Sequence, residues 1–525
     1  LLIHLTVFTF DHKYLAIYNI YFFLKNTVMI IMTCVDNILI VAPWGMPIWR
    51  RLTYSINGKE IKSCTSLLPL LLSMKEYIDA GKVDIVIIVL DSLVDKYEGS
   101  VDRESECVKC YYELQDYINK ANEADLYKDL VSALESFTKE FFKCLLRKYN
   151  LDLKINDLNV IVAPAIGSPG GKWTFKGELR EFSSLLLHKI AKMGLLKPYH
   201  KIIVDLTHGI NFMPSLVTNL LHKFASIILL AHKDLDKIVI EVYNSDPVVP
   251  TRDEIKRLIN INKAFHEEIK TIQLIHAIPY FIRVSEWIKD NMYKRDLFMK
   301  IKDLENRITS VLFGHIKYVY SSLYYPLPLA LYYLICGQDL YDLGQVIENE
   351  YINYIYINKK DLTIERPYTI EPDALYVYYI SKAVHNRLNL TKCVPPDLDY
   401  LETVFTQIYS RVNIAYEALI EHEISQLRQL EEKIKEDKDI LNRLLNRWES
   451  YDKIKLLSER KDVKSEEEKE KSQKMPDKRI LIAHVGLSYD LVELSLNEQN
   501  KLVLRYKLEP KKILEDSKLI VKSEK

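Results

Sequence analysis

Four short apolar runs in the N-terminal half each end in a loop of small or polar residues, and this pattern sets the fold. Ile38-Leu39-Ile40-Val41-Ala42 leads into Pro43-Trp44-Gly45, and residues 84–90 lead into Asp91-Ser92. Residues 159–163 lead into Pro164-Ala165-Ile166-Gly167, and Ile202-Ile203-Val204 into Asp205-Leu206-Thr207-His208-Gly209-Ile210-Asn211. Longer periodic segments, 107–149 and 179–193, fall between them, and further apolar runs at 227–231 and 238–243 follow as strands. Continuous apolar strands alternating with helices predict an α/β domain with a parallel, doubly wound sheet. In such a sheet, ligands bind outside the carboxyl ends of the strands. The last loop is the most informative, because glycine lets a backbone approach a ligand closely while Thr and Asn offer short hydrogen-bonding side chains. The plainer reading of the same stretch is a strand-to-helix turn with an N-cap. None of the loops matches G-x-G-x-x-G or G-x-x-x-x-G-K-[ST], which disfavours an ordinary dinucleotide or P-loop nucleotide site.

A chain of 525 residues is expected to hold roughly two to four domains. Its 48% hydrophobic content excludes wholesale disorder. With 72 basic against 72 acidic residues there is no global attraction to nucleic acid or membrane, so a basic groove would have to be local. The 35 tyrosines and only 14 glycines suit a helix-rich architecture. Seven scattered cysteines argue against a secreted disulfide framework and for a cytoplasmic protein. Cys107-x-x-Cys110 is the only close pair, and a zinc ribbon would need a second. The chain begins Leu1-Leu2, with Met29 and Met32 standing just before the first strand. Residues 14–24 are largely apolar, but Asp11, His12, Lys13 and Lys25 bracket a run too short to span a bilayer. Residues 1–31 read as upstream sequence or a mis-set start, with an anchor or signal segment as the other reading.

The texture changes after Asp246-Pro247-Val248-Val249-Pro250. Residues 252–340 look helical by period, the stretch through Pro367 and Pro372 is irregular, and 402–460 reads as one or two long helices. Residues 463–474 form a charged run expected to be a mobile loop. Pro476-Asp477 then opens a helix with Asp477 as its cap, and residues 501–508 alternate like a strand. This helix carries Arg479-Ile480-Leu481-Ile482-Ala483-His484. Arg and His at this spacing lie within about one and a half helical turns and can approach one phosphodiester. Arginine clamps phosphate through its fork, and histidine moves protons near neutral pH. The pair suits metal-free RNA cleavage by attack of the 2′-hydroxyl. No other histidine of the 13 has an arginine with four to six residues between them on its N-terminal side, although a motif this short also arises by chance.

These blocks together resemble the CARF–HEPN ribonucleases associated with type III CRISPR systems. The resemblance rests on Ala42-Pro43-Trp44-Gly45-Met46-Pro47 with Trp49 and Tyr54, on Thr65-Ser66-Leu67-Leu68-Pro69, and on Val89-Leu90-Asp91-Ser92-Leu93. It continues through Val162-Ala163-Pro164-Ala165-Ile166-Gly167, Phe175-Lys176-Gly177, residues 205–214, and Arg479 with His484. It implies a Rossmann-like CARF sensor at 32–247, a helical connector at 248–396, and a mostly α-helical HEPN domain at 397–525. The connector would hold a winged-helix-like insert and the first HEPN helices. The resemblance further implies a homodimer whose sensor pocket holds a cyclic oligoadenylate, usually the tetramer, as allosteric activator. No metal or other cofactor is implied. Trp44, Gly45, Gly167, Thr207, His208, Gly209 and Asn211 would contact the activator, with Trp44 either stacking a base or packing its own loop. Arg479 and His484 of two copies would meet in one composite site that cuts single-stranded RNA. Many HEPN motifs place a polar residue directly after the arginine, and here it is Ile480. Three other readings stand beside this one: a ligand-responsive DNA-binding regulator, a ring nuclease cutting its own activator through Thr207 or His208, and a nuclease-dead scaffold.

Overall fold

A computed structural model describes residues 36–95, 102–210, 212–247, 258–285, 288, 295–338, 340, 342–445, 447–459 and 475–523. Residues 1–31, Asn211 and the charged run 463–474 lie outside the described residues.

The N-terminal half is built on an eight-stranded sheet. Its strands are β1 (Ile38–Pro43), β2 (Leu52–Ile56), β3 (Lys59–Ser63), β4 (Val83–Leu90), β5 (Asp157–Ala163), β7 (Lys201–Asp205), β8 (Ile238–Ser245) and β9 (Leu258–Ile269). A short strand, β6 (Thr174–Lys176), stands outside it. The order is β3-β2-β9-β8-β7-β1-β4-β5. From β8 to β5 all neighbours run parallel, and Ile40 sits opposite Ile85 on one side and Ile203 on the other. All eight residues of β4 are buried, which means both faces of the sheet are covered there. This is the parallel sheet that the apolar runs predict, and a continuous run rather than alternation is its signature.

Two segments of this half depart from expectation. The run at 227–231 is the last turn and a half of the helix Met213–Ala231, not a strand. Its branched side chains pack in the core, and burial overrides strand propensity. Residues 252–340 are not uniformly helical, because β9 pairs antiparallel with β8 and closes that side of the parallel block. Alternating burial at its start (Leu258 exposed, Ile259 buried, Asn260 exposed, Ile261 buried) fits a half-covered strand.

The C-terminal half is mainly helical. The span 402–460 is broken into a helical stretch ending at Tyr409, then Ile414–Glu436, Lys438–Leu444 and Tyr451–Ser458. Asn413 and Asp437 reset the chain: each side chain accepts backbone N–H groups of the helix that follows it. The helix Lys478–Ala483 begins at Asp477, whose carboxylate accepts the Arg479 N–H at 2.8 Å, as the sequence suggests. Leu502–Tyr506 is a strand, paired antiparallel with Val492–Leu496.

The two halves are interleaved. Helix Pro372–Leu388 packs on both Leu179–Leu196 and Met213–Ala231 of the N-terminal half. The strand Thr363–Glu365 runs parallel to β6 beside the loop that follows β5. Arg366, fully buried, ion-pairs with Asp91 at the end of β4 and with Glu181 at 3.3 Å, and donates to the Ala165 carbonyl at 3.0 Å.

The cysteines correct the sequence reading. Cys64 pairs with Cys107, Cys110 with Cys144, and Cys336 with Cys393. The Cys107-x-x-Cys110 pair is therefore neither a half-site for metal nor a dithiol, since each member faces a different partner. Spacing along the chain carries no record of neighbours 34 to 57 residues away.

Candidate functional site

The carboxyl ends of β5, β4, β1 and β7 lie side by side at one edge of the sheet. The chain winds outward from β1 to β4 and β5, then returns to β7 on the other side of β1. The crevice between β1 and β7 is thus the switch point where an open α/β sheet accepts a ligand. The two loops meet there directly, with the Gly45 N–H donating to the His208 carbonyl at 2.8 Å. A Cβ at Gly45 would come within 2.6 Å of Ile210, so the approach of the loops requires glycine.

A buried polar network holds the β7 loop. Asp205 is 2% exposed, accepts the Ser66 hydroxyl at 2.7 Å and accepts the Thr207 N–H at 3.2 Å. Burial pushes its carboxyl above the usual range. His208 Nε2 accepts the Ser66 N–H at 3.1 Å, which leaves the ring proton on Nδ1. Burial pushes this imidazole down to about 3, so it is neutral at physiological pH. Trp49 stacks on the His208 ring with centroids 4.0 Å apart. Trp44 is 1% exposed and packs edge-on against Trp49 and Phe141. In this structure its ring is part of the core, and Trp49 is the half-buried aromatic of the crevice.

Gly45, Thr207, His208 and Gly209 therefore come together, while Gly167 stands on the β5 loop, with β4 between it and β1, exposed, its N–H bonded to the Phe175 carbonyl at 3.0 Å. Asn211 lies outside the described residues. Ser66 is the residue that sequence reasoning left unassigned, although it sits within the Thr65-to-Pro69 block. Its two bonds, to Asp205 and His208, fix the loop's conformation.

The second site lies at the C-terminal helix. His484 caps the end of Lys478–Ala483, and the chain turns sharply there, with Val485 at φ 44° and Gly486 at φ 74°. The Gly486 N–H returns to the Leu481 carbonyl at 2.7 Å, a six-to-one closure that stops the helix. A Cβ on Gly486 would meet the Tyr506 hydroxyl at 2.7 Å, which fixes this turn against the hairpin. The turn leaves His484 half-exposed, with Nδ1 3.1 Å from Oε1 of Glu423 on helix Ile414–Glu436. Glu423 is buried. A carboxylate that accepts the Nδ1 proton leaves Nε2 with a free lone pair facing outward, the arrangement a general base requires. Arg479, one turn earlier, is exposed, as is Ile480 beside it. Glu423 gave no signal in the sequence, because its partner is 61 residues away and carboxylates are common on helix surfaces.

Comparison with known families matches both regions. The model for "CRISPR system endoribonuclease Csx1, CARF domain" covers residues 39–247, and that for "CRISPR system endoribonuclease Csx1, HEPN domain" covers residues 413–509. A curated relative, CRISPR system endoribonuclease Csx1 of Methanocaldococcus jannaschii, is 27% identical over 341 residues, spanning 62% of this chain and 62% of that protein. The crevice between β1 and β7 falls within the first match, and Glu423, Arg479 and His484 fall within the second. The chain belongs to the CARF–HEPN family of CRISPR-associated proteins.

Proposed function

We propose that this chain is an endoribonuclease of type III CRISPR defence that a cyclic oligoadenylate, usually the tetramer, switches on. The observation that carries the reading is the Glu423–His484 contact, which orients a half-exposed imidazole at the end of the short helix that carries the exposed Arg479. His484 Nε2 takes the proton of an RNA 2′-hydroxyl, the 2′-oxygen attacks the adjacent phosphorus, and the bond from phosphorus to the 5′-oxygen breaks. The products are a 2′,3′-cyclic phosphate and a 5′-hydroxyl, the proton passing to the departing oxygen from an imidazolium. Arg479 neutralises the charge that builds on the phosphoryl oxygens. These roles need no metal, and two copies of the pair brought together in a homodimer supply a base and an acid at once. The sensor crevice, lined by Gly45, Thr207, His208 and Gly209, takes the activator, with Gly167 of the β5 loop and Asn211 as further contacts expected from the sequence, and the setting is cytoplasmic.

The test is cleavage of a fluorescent single-stranded RNA in EDTA, with and without cyclic tetra-adenylate, beside His484→Ala. Cleavage that requires both the activator and His484 supports the reading. Tight activator binding with no cleavage replaces it with a regulator or a dead-site sensor, and failure to bind any ring size removes the sensor assignment.

A further inference from the structure

Arg411 joins the end of the sensor's loop-bearing helix to the start of the helix that holds the catalytic histidine. The helix Met213–Ala231 begins where the crevice loop ends: a Cβ on Gly209 would lie 2.8 Å from Pro214 in its first turn. Nineteen residues later this helix ends, and its terminal carbonyls would ordinarily be left to water. Instead, one guanidinium takes the Leu229 carbonyl of the last turn, that of the C-cap His232 and two more just beyond the helix. Arg411 donates to the Leu229 carbonyl, to His232 at 2.9 Å, to Lys233 at 2.9 Å and to Leu235 at 2.6 Å. Arg411 is only 8% exposed, and among the described residues all four of these bonds go to main-chain oxygen. A cation at a helix carboxyl end is favoured by the helix dipole, and the planar fork matches several acceptors at once.

What Arg411 is attached to gives the contact its meaning. Its own carbonyl accepts the Ile272 N–H at 2.7 Å, and two residues on, Asn413 caps helix Ile414–Glu436. Glu423, nine residues into that helix or about 14 Å along its axis, holds His484. A second arginine runs alongside: Arg387 donates to the Leu230 carbonyl at 3.4 Å and to Gln407 at 3.2 Å. The chain of parts is continuous: crevice loop, helix of about 28 Å, guanidinium clamp, second helix, carboxylate, imidazole.

We propose that Arg411 is the positioning residue through which occupancy of the sensor crevice is transmitted to Glu423 and His484. A helix is stiff along its axis, so a shift of the crevice loop moves its far end, and the clamp passes that motion to the catalytic helix. The inference rests on the sensor-nuclease reading above. A purely structural clamp would stabilise the fold and leave the communication between the sites unchanged.

The experiment compares wild type, Arg411→Gln and Arg411→Lys as full chains. Cyclic tetra-adenylate binding is measured by titration, and RNA cleavage is measured with and without it. The expected result is that both variants still bind the activator while the ratio of activated to basal rate falls, at least about tenfold in Gln and at least about threefold in Lys. Retained binding shows that the sensor is folded. A wild-type ratio in a variant that binds the activator overturns the proposal. If Arg411→Gln does not fold, Arg411→Lys decides, since an ammonium cannot reproduce the fork and an unchanged ratio there is equally fatal. Absence of any activation in wild type removes the sensor-nuclease reading first and this proposal with it, and is seen before any variant is compared.

Discussion

The hydrogen bond at one imidazole nitrogen fixes the tautomer and orientation with which the other acts as a base, and at His484 that partner is Glu423 Oε1, 3.1 Å from Nδ1. Removing the carboxylate frees the ring to rotate and to adopt the other tautomer, so Glu423→Ala is expected to lower the activated cleavage rate by about 10- to 100-fold, within the range that positioned proton transfer contributes. RNA affinity, measured on the uncleavable His484→Ala background, should stay within about twofold, because Glu423 is buried and cannot touch substrate. Glu423→Gln, which still offers an acceptor oxygen, should fall between. Loss of RNA binding with an unchanged single-turnover rate would show that Glu423 supports the surface and not the base. That Arg479 and His484 share one short helical segment was legible because its cap, Asp477, stands in view. Glu423 was not, since contact across 61 residues leaves no local trace. The two tryptophans show the same limit. Sequence identifies Trp44 and Trp49 as one block, but only packing decides that Trp44 turns into the core while Trp49 stacks on His208.

At the scale of elements, the strands with continuous apolar runs were readable because burial on both faces leaves no polar alternation to confuse them. What sequence could not supply was how the C-terminal half inserts into the sensor half. The strand Thr363–Glu365, with one apolar residue in three and no period of its own, is a strand because β6 pairs with it on one side and Tyr356–Asn358 on the other. Arg366 at its end is locked between Asp91 and Glu181, all three buried. One guanidinium cannot neutralise two carboxylates in a low-dielectric site, and burial pushes Glu181 from 4.5 up to about 7. Because the folded state holds this proton more tightly than the unfolded chain, the contribution of Glu181 is fully present below pH 4.5 and is lost as pH rises through about 7. Its size, of the order of 3 kcal/mol, follows from the separation of the two values. Urea unfolding at pH 5 and pH 8 should therefore show wild type losing stability relative to Glu181→Gln as pH rises. The opposite slope would mean that Arg366 dominates and keeps Glu181 charged throughout.

At the scale of the molecule, three disulfides tie segments that the sequence keeps apart, and they sit in a protein proposed for a reducing compartment. Cys64, Cys107 and Cys110 are 0% exposed, Cys144 is 1% and Cys336 is 3%. Exchange requires a thiolate to reach a disulfide sulfur, so the Cys64–Cys107 and Cys110–Cys144 bonds resist reduction while the fold is intact, whereas Cys393 is exposed and its bond to Cys336 is open to attack. Closing loops of 43, 34 and 57 residues restricts the unfolded chain by about 4 kcal/mol apiece in the chain-entropy treatment. Two consequences are measurable together. Thiol titration of denatured protein without reductant should find one free thiol per chain, rising to seven after reduction. The melting temperature should drop in reductant in two stages, first as the exposed Cys336–Cys393 bond is reduced and then, after incubation long enough for transient unfolding, as the two buried bonds are, and Cys64→Ser should lower it without reductant. Seven thiols in the untreated protein, with a melting temperature indifferent to reductant, would mean that the cysteines pack as buried hydrophobic side chains and that the core alone holds the sensor loops in place. The distinction bears on the crevice, because Cys64 stands two residues before Ser66, whose bonds to Asp205 and His208 shape the β7 loop. A covalent tie at that point limits how far the segment carrying Ser66, and with it the network around Asp205 and His208, can move.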